Sequence, residues 1–170
     1  MERVSKRNYY LDIAQTVLER ATCLRRVYGA IIVKNDEIIS TGYNGAPRGR
    51  RNCVDMGYCS REAMKVPRGE RYELCRSVHA EANAIISASR RDMAGGTIYL
   101  VGRNAATGEL LNDATSCLMC RRMIINAGLD RVVIRRTETE FEVVPVEAWI
   151  AEDDLLTCLL YTSPSPRDTR

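Results

Sequence analysis

The alternation of apolar and polar residues divides this chain into regular segments separated by one aperiodic stretch. Over residues 5–22, Tyr9, Ile13, Val17 and Leu18 recur at helical spacing, which predicts a first amphipathic helix. Two β-rich runs follow, Val27 to Val33 and Glu37 to Tyr43, and Lys34-Asn35-Asp36 between them suits a hairpin turn. Residues 44–77 lose apolar periodicity and are rich in Gly, Arg and Cys, so they read as an irregular insertion. Patterning returns at residues 79–91, where alanines with Ile85 and Ile86 suit a helix buried on much of its surface. Thr97 to Val101 predicts a short apolar strand, and residues 102–115 a loop or ragged hairpin. Cys117 to Asn126 predicts a helix with Gly128 at its C-terminal cap, and Arg131 to Arg136 a further strand. A last helix is expected near Pro145 to Asp154, with the proline in its first turn. The order α-β-β-insertion-α-β-α-β points to an α/β fold, one mixed sheet with helices on both faces.

Composition narrows the class. A chain of 170 residues can bury a real core as one domain, and 45% hydrophobic with 28% charged residues is ordinary for a soluble protein. The net charge of +3 makes no electrostatic case for a nucleic-acid partner. No apolar run approaches the roughly 20 residues of a membrane span, so no membrane partner is expected. The start, Met1-Glu2-Arg3-Val4-Ser5-Lys6-Arg7, lacks the apolar stretch of a signal peptide, and a cytoplasmic protein is expected. Seven cysteines in such a chain read as metal ligands or reactive thiols rather than a disulfide frame.

The domain is expected to run over residues 1–157. Beyond it, the run from Cys158 to Asp168 resembles the translation of a sequencing-library transposon adapter. Residues 158–170 are therefore expected to be a non-native, disordered tail; the other reading is a natural Pro/Ser-rich tail.

The chemistry gathers at two short motifs. His79-Ala80-Glu81 contains the only histidine, and Ser116-Cys117-Leu118-Met119-Cys120 follows downstream. One imidazole and two thiolates hold zinc on three sides and leave the fourth open, which distinguishes catalytic from structural zinc. Cys117 and Cys120 are three apart, so on a helix they face the same side, and a helix start favours thiolate. His79 and Glu81 are two apart and cannot share a helical face. His79 is thus expected at the helix entry, in non-helical backbone, with Glu81 moving protons for an activated water. His-x-Glu followed by Pro-Cys-x-x-Cys is the signature of zinc-dependent nucleobase deaminases. Here Ser116 stands in place of the proline, where its hydroxyl could cap the helix. Cys-x-x-Cys alone more often marks a structural zinc or a redox pair, and His-x-Glu alone means little. Together and in this order they point to catalytic zinc, since a structural site has no use for Glu81.

Over about residues 5–136 the chain resembles the deoxycytidylate deaminases of the cytidine-deaminase-like fold. The resemblance is carried by Val27-Tyr28-Gly29-Ala30-Ile31-Ile32-Val33, by Thr41-Gly42-Tyr43-Asn44-Gly45-Ala46-Pro47-Arg48-Gly49 and by the zinc motifs. It implies a three-layer α-β-α fold with a central mixed five-stranded sheet. The activity implied is zinc-dependent hydrolysis of dCMP to dUMP and ammonia, in pyrimidine deoxynucleotide metabolism. It further implies that Asn44 touches the sugar or base, that Ala80 contacts substrate, and that the Ala46–Gly49 loop lies near the 5′-phosphate. Arg48, with Arg50 and Arg51, suits bidentate phosphate binding, although such a cluster can also be a solvated turn.

Some relatives carry a second, structural zinc in the insertion. Cys23 and Cys53 fall at matching places, and Cys59 and Cys75 would complete a closed four-thiolate site that staples a segment poor in apolar residues. Buried free thiols, or a site with fewer of these ligands, are the alternative. Relatives are often hexamers, so a homo-oligomer is implied. The 102–115 segment is longer than the family's usual run into Pro-Cys, which keeps open a deaminase of CMP or of another pyrimidine nucleotide. A deaminase of tRNA adenosine would want a basic footprint. A non-catalytic zinc-stabilised binding module would be indifferent to loss of Glu81.

Overall fold

Five strands build the centre of the molecule, and the inner ones are covered on both faces. The computed structural model describes residues 1–152. The adapter-like run from Cys158, and the end of the last expected helix at Asp154, lie outside the described residues. The strands are β1 (Arg26–Lys34), β2 (Glu37–Tyr43), β3 (Thr97–Asn104), β4 (Arg131–Arg135) and β5 (Phe141–Pro145). They lie in the order β2-β1-β3-β4-β5. Only β3 and β4 pair in parallel, so the sheet is mixed, as expected. Asn35 and Asp36 both adopt positive φ, the backbone that a tight hairpin turn between β1 and β2 demands.

The helices are α1 (Lys6–Leu18), α2 (Cys53–Met56), α3 (Ser60–Ala63), α4 (Ala80–Ile86), α5 (Arg90–Met93), α6 (Leu118–Asn126) and α7 (Val146–Ala151). One face of the sheet, through Ile31, Val33, Tyr99, Val101 and Val133, packs on α1. The other, through Ala30, Ile32, Ile98, Leu100 and Val132, packs on α4, α6 and α7. The period-two alternation of β1 and β3 thus fills both cores and makes the three layers.

Several expectations shift. The buried stripe of α1 is Tyr10, Leu11, Ala14 and Leu18, while Tyr9 is exposed. The stripe centres on Ala14 because its backbone lies against Gly29 of β1, where a Cβ would stand 2.1 Å from the Ala14 carbonyl oxygen. The helix expected over 79–91 is broken after Ile86, which is 73% exposed. Ser87 returns its hydroxyl to the Asn83 carbonyl and Ser89 caps α5, so the serines compete with the helix for backbone partners. β5 was not legible, because none of its residues is fully buried and its apolar positions do not alternate cleanly. Pro145 ends that strand and takes the N-cap position of α7 rather than its first turn.

Two connections frame the site. β3 runs on to Asn104 and folds back as a ragged hairpin, with Asn104 N–H donating to Glu109 O and Leu111 N–H to Gly102 O. The insertion is closed at its base by a two-bond bridge between Gly45 and Val78. Among the described residues, no helix is long and apolar enough to cross a membrane.

Candidate active site

The bridge at Val78 holds the chain extended up to His79, which stands at the N-cap of α4 with φ −69° and ψ 154°. The non-helical backbone expected of His79 is what the fold provides. Glu81 follows in the first turn and is buried. Across from it, Cys117 is the N-cap of α6 and Cys120 lies fully buried in the first turn. Ser116 does not cap this helix: it lies one residue too early, and its side chain is buried.

His79 Nδ1 stands 3.4 Å from Cys117 Sγ and 3.5 Å from Cys120 Sγ. Zinc with one nitrogen and two sulfur ligands spans N···S edges of about 3.6 Å in a tetrahedron. Both N···S edges therefore match those of a bound zinc ion. Among the described residues they are the one trio of candidate ligands whose atoms all lie within 4.8 Å of one another.

The charges suit metal capture. The hydrogen bond with Cys117, then that with Cys75, raises the His79 imidazole to about 10 despite burial. The hydrogen bond from Cys120 lowers the Cys117 thiol well below the ordinary thiol range, against burial and with help from His79. Cys120, the donor in that pair and buried, is pushed up. The trio thus sets an acidified thiol against an imidazole that holds its proton, and metal binding would release the protons carried by His79 and Cys120. Burial raises the Glu81 carboxyl, and its own backbone N–H and His79 offset only part of that. A carboxyl that holds its proton to higher pH than an exposed one suits acid–base work.

These groups open into one cavity. His79, Ala80, Glu81 and Cys117 form its metal-facing side, and Tyr28, Asn44, Tyr72 and Thr115 line the walls. Asn44 is buried and spends its amide on β1, accepting from Tyr28 N–H at 2.8 Å and donating to Arg26 O at 2.9 Å. An amide group has a second N–H and further lone-pair capacity, so Asn44 can still face a ligand. Arg48, Arg50 and Arg51 do not line the cavity; all three are exposed, and Arg50 N–H closes a turn onto Pro47 O. The cations in the cavity wall are Arg25, Arg26, Arg61 and Arg68. Arg25 is held by Glu62 at 2.7 Å, and Arg68 has only a long 3.7 Å contact with Asp113.

Arg26 and Tyr28 were findable, because they alternate with Val27 on β1 and so share a face. Arg61, Arg68 and Tyr72 lie in the aperiodic insertion and carry no such signal.

Cys23, Cys59 and Cys75 also line the cavity, and Cys53 lies buried close by. Burial, followed by the charges of Cys23, Cys75 and Cys59, raises the Cys53 thiol, which makes the four neighbours. They do not stand as a ready ligand set, since no three of them meet the 4.8 Å spacing of the catalytic trio. Burial pushes the Cys75 thiol up, but hydrogen bonds with His79 and with the Ser77 backbone leave it below the ordinary thiol range.

A family model described as the cytidine and deoxycytidylate deaminase zinc-binding region matches residues 4–136. The chain is 36% identical over 138 residues to the deoxycytidylate deaminase of Mycobacterium phage D29, covering 78% of this chain and 96% of that one. It is 34% identical over 131 residues to the deoxycytidylate deaminase of Schizosaccharomyces pombe, covering 77% of this chain but only 37% of the yeast protein. Its fold is similar to that of the dCMP deaminase from the cyanophage S-TIM5, with a TM-score of 0.52 and 25% identity over 76% of this chain and 81% of that one.

Proposed function

The chain belongs to the cytidine and deoxycytidylate deaminase family, and from that premise we propose that it hydrolyses dCMP to dUMP and ammonia. The observation that carries this reading is the His79–Cys117–Cys120 trio beside buried Glu81, opening into a cavity walled by arginines. A site that excludes solvent around a carboxyl and presents guanidinium groups suits a small anionic pyrimidine nucleotide.

His79 Nδ1 and the two sulfurs would hold zinc, which supplies Lewis-acid activation of water when bound. Glu81 takes a proton from the attacking water and delivers it to N3 of the cytosine ring. As the C4–N bond breaks, Glu81 takes the remaining proton from the oxygen now on C4 and hands it to the leaving amino group, so water and the cytosine amine become the uracil oxygen and ammonia. Asn44 offers its remaining N–H to the sugar or base, and Ala80 packs beneath the ring. Arg26 and Arg68 face the cavity and take the 5′-phosphate, with Arg48 on the neighbouring loop as the outer candidate. A second, structural zinc drawing together Cys23, Cys53, Cys59 and Cys75 belongs to the same reading, as do a cytoplasmic setting and assembly as a homo-oligomer, a hexamer by family resemblance. CMP is the second candidate substrate, because the 102–115 hairpin borders the cavity through Thr115.

The test is ammonia release from dCMP, CMP, deoxycytidine and cytidine, run beside Glu81→Ala. Turnover of dCMP is expected, falling by about 10²–10⁴ in the variant while zinc is retained. Full activity in Glu81→Ala would sink the proton-carrier role. A zinc-loaded protein silent on all four substrates would favour the non-catalytic binding module.

A further inference from the structure

A buried guanidinium supports the wall of the cavity that faces the zinc ligand. Arg61 on α3 is 6% exposed, and its Nη2 donates to the carbonyls of Pro67 at 3.3 Å and Glu70 at 2.6 Å. The same guanidinium lies 4.4 Å over the centre of the Tyr72 ring. Among the described residues its Nε has no hydrogen-bond partner, and the π face of Tyr72 and the two carbonyl dipoles stabilise the charge. Tyr72 in turn meets the His79 ring at 89°, with centroids 5.0 Å apart. Arg71, just before Tyr72, takes φ 52°, a left-handed backbone that a non-glycine residue adopts only under constraint. The turn is bent so that the ring stands against the imidazole.

The geometry points to Arg61 and Tyr72 as positioning residues for His79, acting in series. The inference rests on the reading that His79 binds zinc. Rotation of the imidazole about its bond to Cβ would carry Nδ1 away from the corner it shares with Cys117 and Cys120. A ring packed at right angles blocks that rotation, and a cation stacked behind the ring keeps it from swinging away. Neither residue touches the metal; their effect passes through the orientation of the ligand, as outer partners of metal ligands commonly act. The contact is ring to ring, so the Tyr72 hydroxyl is not needed for it. Arg61 needs its planar fork, which both reaches the two carbonyls and stacks on the ring, and a lysine cannot reproduce that.

The experiment is a zinc titration of the metal-stripped full-length protein against a chromophoric chelator, with cobalt absorption spectra recorded on the same variants. Tyr72→Ala is expected to weaken zinc binding by about 10- to 100-fold and to alter the cobalt bands. Tyr72→Phe is expected to retain the parental zinc affinity and spectrum. Arg61→Lys is expected to fall between them; should it fail to fold, the Tyr72 pair decides. A folded Tyr72→Ala protein that binds zinc as tightly as the parent, with the same cobalt spectrum, overturns the inference. Failure of the unaltered protein to bind zinc overturns this inference and the deaminase reading together, so the two failures are distinguishable.

Discussion

Gly42 on β2 lies directly against the backbone of Ala80 on α4: a Cβ at position 42 would stand 2.3 Å from the Ala80 carbonyl oxygen and 2.4 Å from the Ala84 amide nitrogen. The helix that carries Glu81 in its first turn and starts at His79 therefore rests on bare strand backbone. That contact sets the height of both groups over the sheet. On the opposite face, Gly29 gives α1 the same close approach, one register step away on β1.

Gly42→Ala is expected to lift α4 from the sheet, because its neighbours are backbone atoms that cannot rotate aside. Overpacking of this kind costs about 1–3 kcal/mol, and more where the backbone must move. Urea unfolding should show the loss, and zinc content should fall with it. Gly29→Ala should be destabilised comparably yet keep its zinc, since α1 carries no ligand. Equal zinc loss in both variants would mean that general unfolding, not displacement of α4, is responsible.

The phosphate reading separates two arginines. Arg26→Ala is expected to raise the KM for dCMP about 10- to 100-fold, the loss of one hydrogen bond to a charged group, while slow turnover of deoxycytidine is unaffected. Arg48→Ala, outside the cavity wall, should change KM far less. Steady-state kinetics on nucleotide and nucleoside decide; the reverse order would return the phosphate to the Ala46–Gly49 loop.

Zinc content tests the cysteines of the insertion. Elemental analysis is expected to find more than one zinc per chain, and Cys53→Ser should remove the extra metal while leaving the catalytic ion. A chelator should lower the melting temperature in proportion to the binding lost, since zinc binds the folded chain. One equivalent per chain would end the four-cysteine proposal.

The Tyr10 hydroxyl donates to Asp36 in the β1–β2 turn, and Lys6 pairs with the same carboxylate at 2.8 Å. Hydrogen bonds from Lys6 and then Tyr10 hold Asp36 below the usual 3.8, while the bond to Asp36 raises the Tyr10 phenol to about 12. The depressed carboxyl contributes stability above pH 3.8 that is lost as pH falls. The raised phenol contributes stability below pH 10 that is lost as pH rises toward 12. The stability gap between the parent and Tyr10→Phe should therefore be widest near neutrality and close at both ends. A gap independent of pH would show that the hydroxyl acts through packing rather than through Asp36.

Much of the fold and of the site chemistry is legible in the sequence. Short β-rich and apolar runs marked β1, β2, β3 and β4, and the ligand types of His79, Cys117 and Cys120 with the carboxyl of Glu81 marked the chemistry. Even the extended backbone at His79 followed from a two-residue spacing that no regular helix accommodates. β5 escaped because an edge strand with half-buried residues leaves little periodicity, and the break after Ile86 escaped because alanine-rich sequence outweighed two competing serines.

What the sequence by itself determined is local: alternation along a strand, ligand spacing within one helical turn, and the acid–base type of each side chain. These depend on geometry that repeats every few residues. Tertiary structure alone decided which arginines enter the cavity, how near the insertion cysteines approach one another, and that Gly42 meets Ala80. Those outcomes depend on where distant segments meet. The Gly45–Val78 bridge closes the aperiodic insertion, and one buried guanidinium at Arg61 directs its turn toward His79. A chain without period in that stretch holds no register from which such contacts could be read.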